Sequence, residues 1–470
     1  MGQGAWVVEG QPMKHLSDEN LSLEIIDIAF PQGFGVGKRN DFVCFVPGAL
    51  PGDIVRVKMA KQGRRFGFAQ ITAIEQESPF RVTPVCPHAH CCGGCVLQGL
   101  LYEKQLELKQ NYLLQVLQRI GNVPLEQVEV QPIVRSVEQY YYRSKVELFF
   151  GEHGSTNIGF RERVSPFEPY RGRLVPIQQC PIFSRSLERL LPVFSEYAER
   201  VSAGVHGKQA GRGTLKRLII REAKWNKKLM VSLVVAGNDV AEAPWLLQEL
   251  PKAVPEVASL WIITDRKKEL LLGSPYIEEM LGRLRFMVYP QTFFQPNTKT
   301  AERLYEAIAA LCHATGSERI MGLYCGTGPI EIFLSPLVRE IVAIDSDREN
   351  IAAAIENCRI NKVRNCRFYK QQAERASALD IYGPHDPHGS PGIFDLVIVD
   401  PPRAGLTQEA LESIKSIAAP RVVYVSCNPS TLARDLKRLA EAKYRTRKIL
   451  PFDFFPHGAH LETLVLLEKG

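Results

Sequence analysis

Buried strands alternate with helices over the last third of the chain, and this alternation constrains the fold more than any other feature. From Asn297 onward, strand candidates such as "RIMGLY", "EIVAID", "FDLVIVD", "RVVYVS" and "ETLVLLE" are separated in several places by helical stretches such as "DRENIAAAIENCRI". Apolar strands joined by helices are typical of a doubly wound sheet, whose ligands bind beyond the carboxyl ends of the strands. The sequence therefore predicts a Rossmann-like domain over residues 293–470.

The ends of the first two strands carry residues suited to a nucleoside. In "LYCGTG", Gly326 and Gly328 let the backbone approach a ligand closely. Asp345 ends the next strand, 21 residues after Tyr324, where a carboxylate can accept hydrogen bonds from ribose hydroxyls. The glycine turn alone is a weak signal, but together with the strand-end acid it predicts a cofactor that contains a nucleoside.

Two later strands end in residues suited to covalent catalysis. Asp400 ends the third strand in "VDPPRAGL", and Cys427 ends the fourth in "VYVSCNPS", before a helix with Ser430 as a plausible N-cap. The N-terminus of a helix favours the thiolate form of a nearby cysteine such as Cys427. Glu462 begins the last strand. We expect the thiol and the carboxylate to form a nucleophile and base pair. The alternative is a small buried cysteine that only packs.

The first part of the chain is expected to form a small barrel. Four strand candidates lie between about residues 20 and 75, separated by "PQGFGVGKRN", "PGD" and "QGRR", so that five or so short strands are predicted. Basic residues crowd the later strands, beside Phe66 and Phe68: they are Arg56, Lys58, Lys61, Arg64 and Arg65. This mixture indicates either RNA contact with base stacking or a solvated edge over two core phenylalanines.

Four cysteines could hold a metal. They are Cys86, Cys92, Cys95 and Cys180, spaced C-x5-C-x2-C with the fourth 85 residues after the third. Four thiolates can bind zinc or an iron–sulfur cluster, and the spacing does not decide between them. Cys44, Cys312, Cys358 and Cys366 are expected to be core or incidental residues, and Cys325 needs no chemical role. For His457 and His460, polar lining is expected rather than a metal site, because no third ligand is near them in the sequence.

Charge and hydropathy restrict the setting. The formal net charge is +7, which allows a polyanionic partner without requiring one. No apolar run is long enough to span a bilayer and no signal peptide is evident, so we expect a cytoplasmic protein without a membrane partner. The basic segment Gly207–Lys228 could face a nucleic acid or form a hairpin with a charged outer face. Thr298 is a possible helix cap, and Tyr382–Gly392 is expected to be a surface connection.

The motifs together resemble the RNA 5-methyluridine methyltransferase family, which uses S-adenosylmethionine. The matching elements are "FFQPN", "LYCGTG", Asp345, "DPPRAG", "VSCNP" and the ending "D-x-F-P-H…E" at Glu462. The N-terminal barrel is similar to the TRAM domain of one branch of this family, and the cysteine cluster is similar to the iron–sulfur site of that branch. The resemblance spans nearly the whole chain.

The resemblance implies a reaction and a site for it. Cys427 would add to C6 of uracil, C5 would take the methyl group from S-adenosylmethionine, and Glu462 would remove the C5 proton. By family position, the cofactor would be lined by Gln295, Tyr324, Asp345, Gln372 and Asp400. The sequence departs from the family pattern at Gly322, where an acidic residue is usual, and at Pro329, where a polar residue is common. Both departures concern the cofactor site rather than the nucleophile.

The resemblance also implies the domain organisation and the partner. A TRAM, OB-like RNA-binding domain would occupy residues 15–78, a central α+β domain residues 79–292, and the methyltransferase domain residues 293–470. Cys86, Cys92, Cys95 and Cys180 would hold a [4Fe–4S] cluster, and the expected substrate is 23S ribosomal RNA, bound by a monomer. Transfer RNA is the alternative substrate. Two other functions stay open: a non-catalytic RNA-binding or assembly factor, and an iron–sulfur redox protein.

Overall fold

The computed structural model describes residues 21–151, 156–167, 172–203, 214–237, 242–376 and 394–470. The chain divides into two compact units. One, here called the barrel unit, comprises Met1–Lys109, Gly159–Ile177 and His457–Ala459, and the other, called the sheet unit, comprises the rest. Three predicted features lie wholly or partly outside the described residues: the start of the 15–78 domain, residues 207–213 of the basic segment, and the connection Tyr382–Gly392.

The elements are numbered in chain order. The described strands are Leu21–Ala29 (β1), Phe34–Arg39 (β2), Phe42–Val46 (β3), Ile54–Gln62 (β4), Phe66–Gln76 (β5), Glu129–Val130 (β6), Lys145–Phe150 (β7), Ile158–Arg161 (β8), Leu174–Pro176 (β9), Thr214–Glu222 (β10), Leu229–Ala236 (β11), Val257–Ile263 (β12), Lys268–Gly273 (β13), Ile277–Leu281 (β14), Leu284–Val288 (β15), Arg319–Leu323 (β16), Glu340–Asp345 (β17), Cys366–Lys370 (β18), Leu396–Val399 (β19), Arg421–Ser426 (β20), Tyr444–Phe452 (β21) and Glu462–Lys469 (β22). The described helices are Tyr102–Arg119 (α1), Leu187–Ala203 (α2), Ala243–Ala253 (α3), Thr298–Cys312 (α4), Pro329–Leu334 (α5), Arg348–Ile360 (α6), Gln408–Ile417 (α7) and Pro429–Glu441 (α8). None of them is both long and apolar enough to cross a membrane.

The barrel unit contains a closed five-stranded barrel in the order β1-β2-β3-β5-β4, which confirms the predicted barrel. Alternate residues of its strands, such as Leu23, Ile25, Val55 and Val57, fill the interior. The prediction was wrong for "PQGFGVGKRN", which contains β2 rather than only a turn. Glycine belongs there because a side chain at Gly35 would come within 2.7 Å of a backbone carbonyl oxygen.

The sheet unit is built on an eight-stranded sheet in the order β18-β17-β16-β19-β20-β22-β21-β6. The first five strands of this order run parallel, and β22 is antiparallel to both β20 and β21. Residues of α4, α5 and α6 pack in one apolar core against the sheet, and residues of α1, α7 and α8 pack in the other. Because helices cover both faces, the predicted doubly wound sheet is confirmed.

A second sheet of the sheet unit contains β13, β12, β11, β10 and β7 in that order. Its β10, which lies in the predicted basic segment, forms an antiparallel hairpin with β11, which follows that segment. Lys216 is exposed on this hairpin, and Trp225 in the turn is half exposed while its indole nitrogen donates to the Glu278 carbonyl oxygen at 2.6 Å. The hairpin interpretation of this segment is thus confirmed for the residues that the structure describes.

Candidate active site

The glycine turn after β16 is held by Asp345 at the end of β17. The Asp345 carboxylate accepts hydrogen bonds from the Gly326 backbone amide at 2.9 Å and from the Asp347 amide at 2.8 Å. Tyr324, Gly326 and Gly328 all have positive φ, so the chain turns sharply where β16 ends. The turn and the predicted ribose-binding carboxylate therefore form one structure at the carboxyl edge of the sheet.

The "FFQPN" segment also reaches this turn. The ring of exposed Phe293 lies 4.0 Å from the position that a side chain at Gly326 would take, and the Thr327 hydroxyl donates to the Phe293 carbonyl oxygen at 3.3 Å. Gln295 is buried. The N-cap of α4 is Asn297, whose side chain accepts from the Thr300 amide, so the Thr298 prediction was wrong by one residue.

Gln372 lies near the same edge, just after β18. It is exposed and precedes a short 3₁₀ turn over Ala373–Arg375. The amide of the neighbouring Gln371 donates to the Asp345 carbonyl oxygen at 3.0 Å, which fixes this segment beside the end of β17. The exposed Gln372 side chain is therefore available to a ligand at the strand ends.

Cys427 and Glu462 are brought together by strand pairing. Ser426 at the end of β20 pairs with Thr463 of antiparallel β22, so the same register sets Cys427 opposite Glu462. Cys427 is half-buried, and Glu462 is 3% exposed. Cys427 directly precedes Asn428, the N-cap of α8, whose side chain accepts from the Ser430 amide at 3.1 Å. Asn428, not the predicted Ser430, therefore caps this helix.

The electrostatics of this pair differ from the expectation of an ionised thiol. Burial, with the nearby Glu462 and Asp400 carboxylates, raises the pKa of the Cys427 thiol to about 12, although Arg403 opposes the shift. Burial and Asp400 likewise raise the pKa of Glu462 well above its usual range. The prediction of a thiolate stabilised by the helix N-terminus was wrong for the chain without ligands, because desolvation and two negative neighbours outweigh the helix dipole.

Asp400 and Arg403 reach the site from the loop after β19. Burial raises the pKa of Asp400 to about 7, so this carboxyl changes charge near neutral pH. The Arg403 guanidinium lies 2.7 Å from Nε2 of His460, whose ring packs against Phe455. His460 is therefore a polar side chain of the site, as expected. Among the described residues, no group of three or more histidine, cysteine or acidic side chains is placed to hold a metal.

Helix α8 fixes the loop that carries Asp400 and Arg403. The Arg403 carbonyl oxygen accepts from the Asn428 side chain at 3.1 Å and from the Thr431 hydroxyl at 3.2 Å. Fully buried Asp435 accepts from the Leu406 amide and from the Tyr424 hydroxyl, each at 2.8 Å. Helix α8 thus begins next to Cys427 and also anchors the loop that carries Asp400 and Arg403.

Sequence reasoning missed two buried acids of the sheet unit. Asp435 anchors the loop, and Glu331 of α5 lies beneath the glycine turn, where its Oε1 would be 2.5 Å from a Cβ at Gly322. The signal for Glu331 was available, since a carboxylate interrupts the apolar run "PIEIFL". Asp435 gave no such signal, because the helix that carries it is polar along one face.

The cysteine segment lies in the barrel unit. Cys86, Cys92 and Cys95 lie there, the last two of them buried, and Cys180 is a buried residue of the sheet unit. The Gly94 amide donates to Cys92 Sγ at 3.4 Å, and the Arg163 guanidinium donates to the Cys95 carbonyl oxygen at 3.0 Å. An amide hydrogen bond and a cation lie beside these sulfurs and would favour thiolate ligands. Burial nevertheless raises the pKa of the Cys86 and Cys92 thiols, and among the described residues these cysteines do not form a group placed to hold a metal.

One face of the barrel combines aromatic and basic side chains. The rings of Phe45 and Phe66 are half-buried with centroids 5.9 Å apart, whereas Phe68 is buried. Phe68 therefore belongs to the core, whereas the ring of Phe66 is only partly covered and packs edge-on against Phe45 and Phe68. Exposed Arg64 and Arg65 line a depression of about 410 Å³ together with Arg39 and Phe42. Arg56 forms an ion pair with Glu75 at 2.6 Å.

Comparisons with known proteins agree with this architecture. Residues 240–470 match the family model described as tRNA (Uracil-5-)-methyltransferase, and residues 21–72 match the TRAM domain. An uncharacterized RNA methyltransferase of Halalkalibacterium halodurans is 31% identical over 93% of this chain and 94% of its own length. One of Caldanaerobacter subterraneus is 32% identical over 93% of this chain and 96% of its own length.

A solved structure is similar along almost the whole chain. It is the Pyrococcus abyssi tRNA (uracil-54, C5)-methyltransferase in complex with S-adenosyl-L-homocysteine, with a TM-score of 0.70 and 26% identity. The match covers 95% of this chain and 100% of that one.

Proposed function

Since this chain belongs to the S-adenosylmethionine-dependent RNA (uracil-5-)-methyltransferase family, we propose that Cys427 is its nucleophile and Glu462 the base that completes the reaction. The pairing of Ser426 with Thr463, which sets these two side chains opposite each other at the strand ends, is the observation that carries the proposal. A thiol and a carboxyl across one strand pair can act on the two neighbouring carbons of a pyrimidine ring.

The first step makes uracil C5 nucleophilic. The Cys427 sulfur forms a bond to C6, its proton leaves, and the electrons of the C5–C6 double bond move into an enolate. Asp400 is the proposed acceptor of the thiol proton, because its pKa of about 7 leaves a large ionised fraction at neutral pH. The uracil must leave its stack to reach the sulfur, since C6 is otherwise covered by neighbouring bases.

The second step transfers the methyl group and restores the ring. C5 would take the methyl group that S-adenosylmethionine supplies, with S-adenosylhomocysteine as the leaving group. Glu462 then takes the C5 proton, the double bond re-forms, and the sulfur departs from C6. Burial raises the pKa of Glu462, which makes its ionised form a stronger base, and Arg403 beside it favours that ionised form.

The cofactor is proposed to lie at the glycine turn. Gln295, Tyr324, Asp345, Gln372 and Asp400 are the proposed contacts. In this arrangement Asp345 would accept from the ribose while holding the Gly326 amide, and the exposed Phe293 ring would flank the turn. Asp400 is both a proposed cofactor contact and a neighbour of the reacting pair, because it acts electrostatically on Cys427 and Glu462.

We propose 23S ribosomal RNA as the substrate, with the barrel face contributing to its binding. Arg64 and Arg65 can contact phosphates, and half-buried Phe66 offers a ring for base stacking. The pairing of a TRAM domain with a cysteine cluster supports ribosomal RNA over transfer RNA by family resemblance. The similar Pyrococcus abyssi enzyme, a tRNA methyltransferase by its name, makes transfer RNA the second candidate. Methylation of separate ribosomal and transfer RNA transcripts distinguishes the two.

The test of the nucleophile is Cys427→Ala, with Cys366→Ala as the matched control at a half-buried cysteine of β18. Tritiated methyl transfer to unmodified RNA should fall by roughly 1,000-fold or more in Cys427→Ala and stay near wild type in the control. Undiminished transfer in Cys427→Ala would refute the assignment. Wild-type enzyme should also form a covalent adduct with 5-fluorouridine RNA, because fluorine cannot leave C5 as a proton does. RNA binding without any adduct would instead favour a non-catalytic factor.

The test of the base is Glu462→Gln. This variant should still form the sulfur–C6 bond and transfer the methyl group, but it should not release the product. A methylated protein–RNA complex should therefore accumulate on ordinary uridine RNA and resist denaturing electrophoresis. Free methylated RNA released at the wild-type rate would show that another group takes the C5 proton.

We propose that Cys86, Cys92, Cys95 and Cys180 are ligands of an iron–sulfur cluster, as the family resemblance implies. The Gly94 amide on Cys92 and the nearby Arg163 cation would stabilise thiolate ligands. Such a cluster would supply folding energy and rigidity to the segment that it binds. Iron, sulfide and visible absorption should be found in protein purified without oxygen and be lost in Cys92→Ser. Zinc in place of iron and sulfide would overturn the cluster assignment.

A further inference from the structure

Glu331 is a buried carboxylate that the proposed mechanism does not use. It lies in the first turn of α5, is 3% exposed, and its Oε2 has no hydrogen-bond partner among the described residues. An unpartnered carboxylate oxygen inside a protein is costly, so its retention calls for a ligand or a structural reason.

The Glu331 carboxylate occupies the space that a side chain at Gly322 would need. A Cβ at Gly322 of β16 would lie 2.5 Å from Glu331 Oε1 and 3.4 Å from its Cδ, so the strand can only carry glycine there while Glu331 keeps this position. Gly322 stands two residues before Tyr324, where β16 leads into the glycine turn. The Glu331 carboxylate of α5 therefore lies next to the end of β16, where the glycine turn begins.

The surroundings of Glu331 are negative. Burial raises its pKa to about 8, and the neighbouring Asp400, Cys358 and Asp345 add to the shift. Buried Tyr305 lies near Glu331, Asp400 and Glu462 alike, since all three raise its pKa. The acidic side chains of Asp345, Asp400 and Glu331 therefore lie close enough to act on one another.

S-adenosylmethionine, if it binds at the adjacent glycine turn as proposed, would bring positive charge to this place. Its sulfonium is cationic, whereas the sulfur of the product S-adenosylhomocysteine is neutral. We propose that Glu331 favours binding of the cationic cofactor over its product, and that position 322 is glycine to admit this carboxylate. An electrostatic preference for the cation also helps product release after methyl transfer. The proposal rests on the cofactor of the proposed reaction and not on its nucleophile.

The test measures binding to the purified full-length chain without RNA. Dissociation constants for S-adenosylmethionine and S-adenosylhomocysteine are compared in wild type, Glu331→Gln and Glu356→Gln, a control at a partly exposed glutamate of α6 that pairs with Arg359. Glu331→Gln should weaken S-adenosylmethionine by about tenfold or more and S-adenosylhomocysteine by less than about threefold. The control should change neither by more than about twofold. Equal weakening of the two ligands, or no weakening, would overturn the proposal.

Moving the carboxylate from position 331 to position 322 separates an electrostatic role from a packing role, because only the electrostatic role predicts that ligand preference is restored. In Glu331→Ala, the further change Gly322→Asp places a carboxylate in the vacated space from the strand side. The double variant should recover the preference for S-adenosylmethionine, whereas Glu331→Ala alone should lack it. A folded double variant without that preference would count against the electrostatic role.

The wild-type chain supplies a test that does not depend on any variant folding. Sinefungin carries a protonated amine in place of the methylsulfonium. Wild type should bind sinefungin and S-adenosylmethionine more tightly than S-adenosylhomocysteine, by about tenfold. Equal affinity for all three ligands would overturn the proposal, while Cys427 could still be tested separately by methyl transfer.

Discussion

Replacing Gly405 by alanine should show that α8 holds the loop after β19, which carries Asp400 and Arg403, in place. Gly405 has φ near +75°, and an added Cβ would come within 2.6 Å of Arg434 Nη2 and closer still to Asp435 Oδ2. Asp435 holds the Leu406 amide and the Tyr424 hydroxyl. The alanine therefore forces apart the contacts that place Asp400 and Arg403.

Gly316→Ala is the matched control, because Gly316 has φ near +92° and open space within 4 Å. Both variants incur the left-handed backbone strain of alanine, roughly 1–2 kcal/mol. Gly405→Ala adds roughly 1–3 kcal/mol if one buried group on Asp435 loses its partner. We expect Gly405→Ala to lower the free energy of unfolding by about 2–5 kcal/mol and Gly316→Ala by about 1–2 kcal/mol.

Denaturant unfolding and tritiated methyl transfer measure the two consequences. Gly405→Ala should lose methyl transfer by roughly 10-fold or more at temperatures where it stays folded, because a displaced Asp400 no longer faces the sulfur. Gly316→Ala should retain near-wild-type transfer. Equal destabilisation of the two variants, with equal activity, would refute the reasoning that α8 anchors the loop.

Three further outcomes are expected. The rate of Cys427 alkylation, followed by peptide mass spectrometry, should rise about tenfold per pH unit and should not level off below about pH 10, because the pKa of its thiol is raised. An alkylation rate that levels off near neutral pH would contradict this. Because the folded-state pKa of Glu331 is raised to about 8, its contribution to stability is complete below its unfolded pKa and is lost as pH rises through about 8. Between about pH 5 and 8 the free energy of unfolding should therefore fall by about 1.4 kcal/mol per pH unit more steeply in wild type than in Glu331→Gln, and matching slopes would contradict this. Each of two cap variants, Asn428→Ala and Thr407→Ala, should lower the free energy of unfolding by about 1 kcal/mol. Of the two, only Asn428→Ala should slow methyl transfer, because the Asn428 side chain also donates to the Arg403 carbonyl oxygen. Equal rates of methyl transfer in the two variants would contradict this role.

Local sequence determined the parts of the molecule whose physics is local. Apolar runs separated by helical periods predicted the doubly wound sheet, and strand-end positions of Asp345, Cys427 and Glu462 followed from where those runs stop. Short β-branched strands between turns predicted the barrel. The cap positions were off by one or two residues at Asn297 and Asn428, because several polar residues in a row can cap a helix and backbone geometry selects one.

Tertiary structure alone decided the electrostatics and the partners of the site. A helix N-terminus predicts an acidic thiol at Cys427, but antiparallel β22 brings Glu462 opposite it, and the loop after β19 adds Asp400, so its pKa rises instead. Glu331 fills the space above Gly322, and Asp435 holds a loop 29 residues away in sequence. Charge interactions and desolvation depend on distances through space, which the order of residues along a chain does not contain.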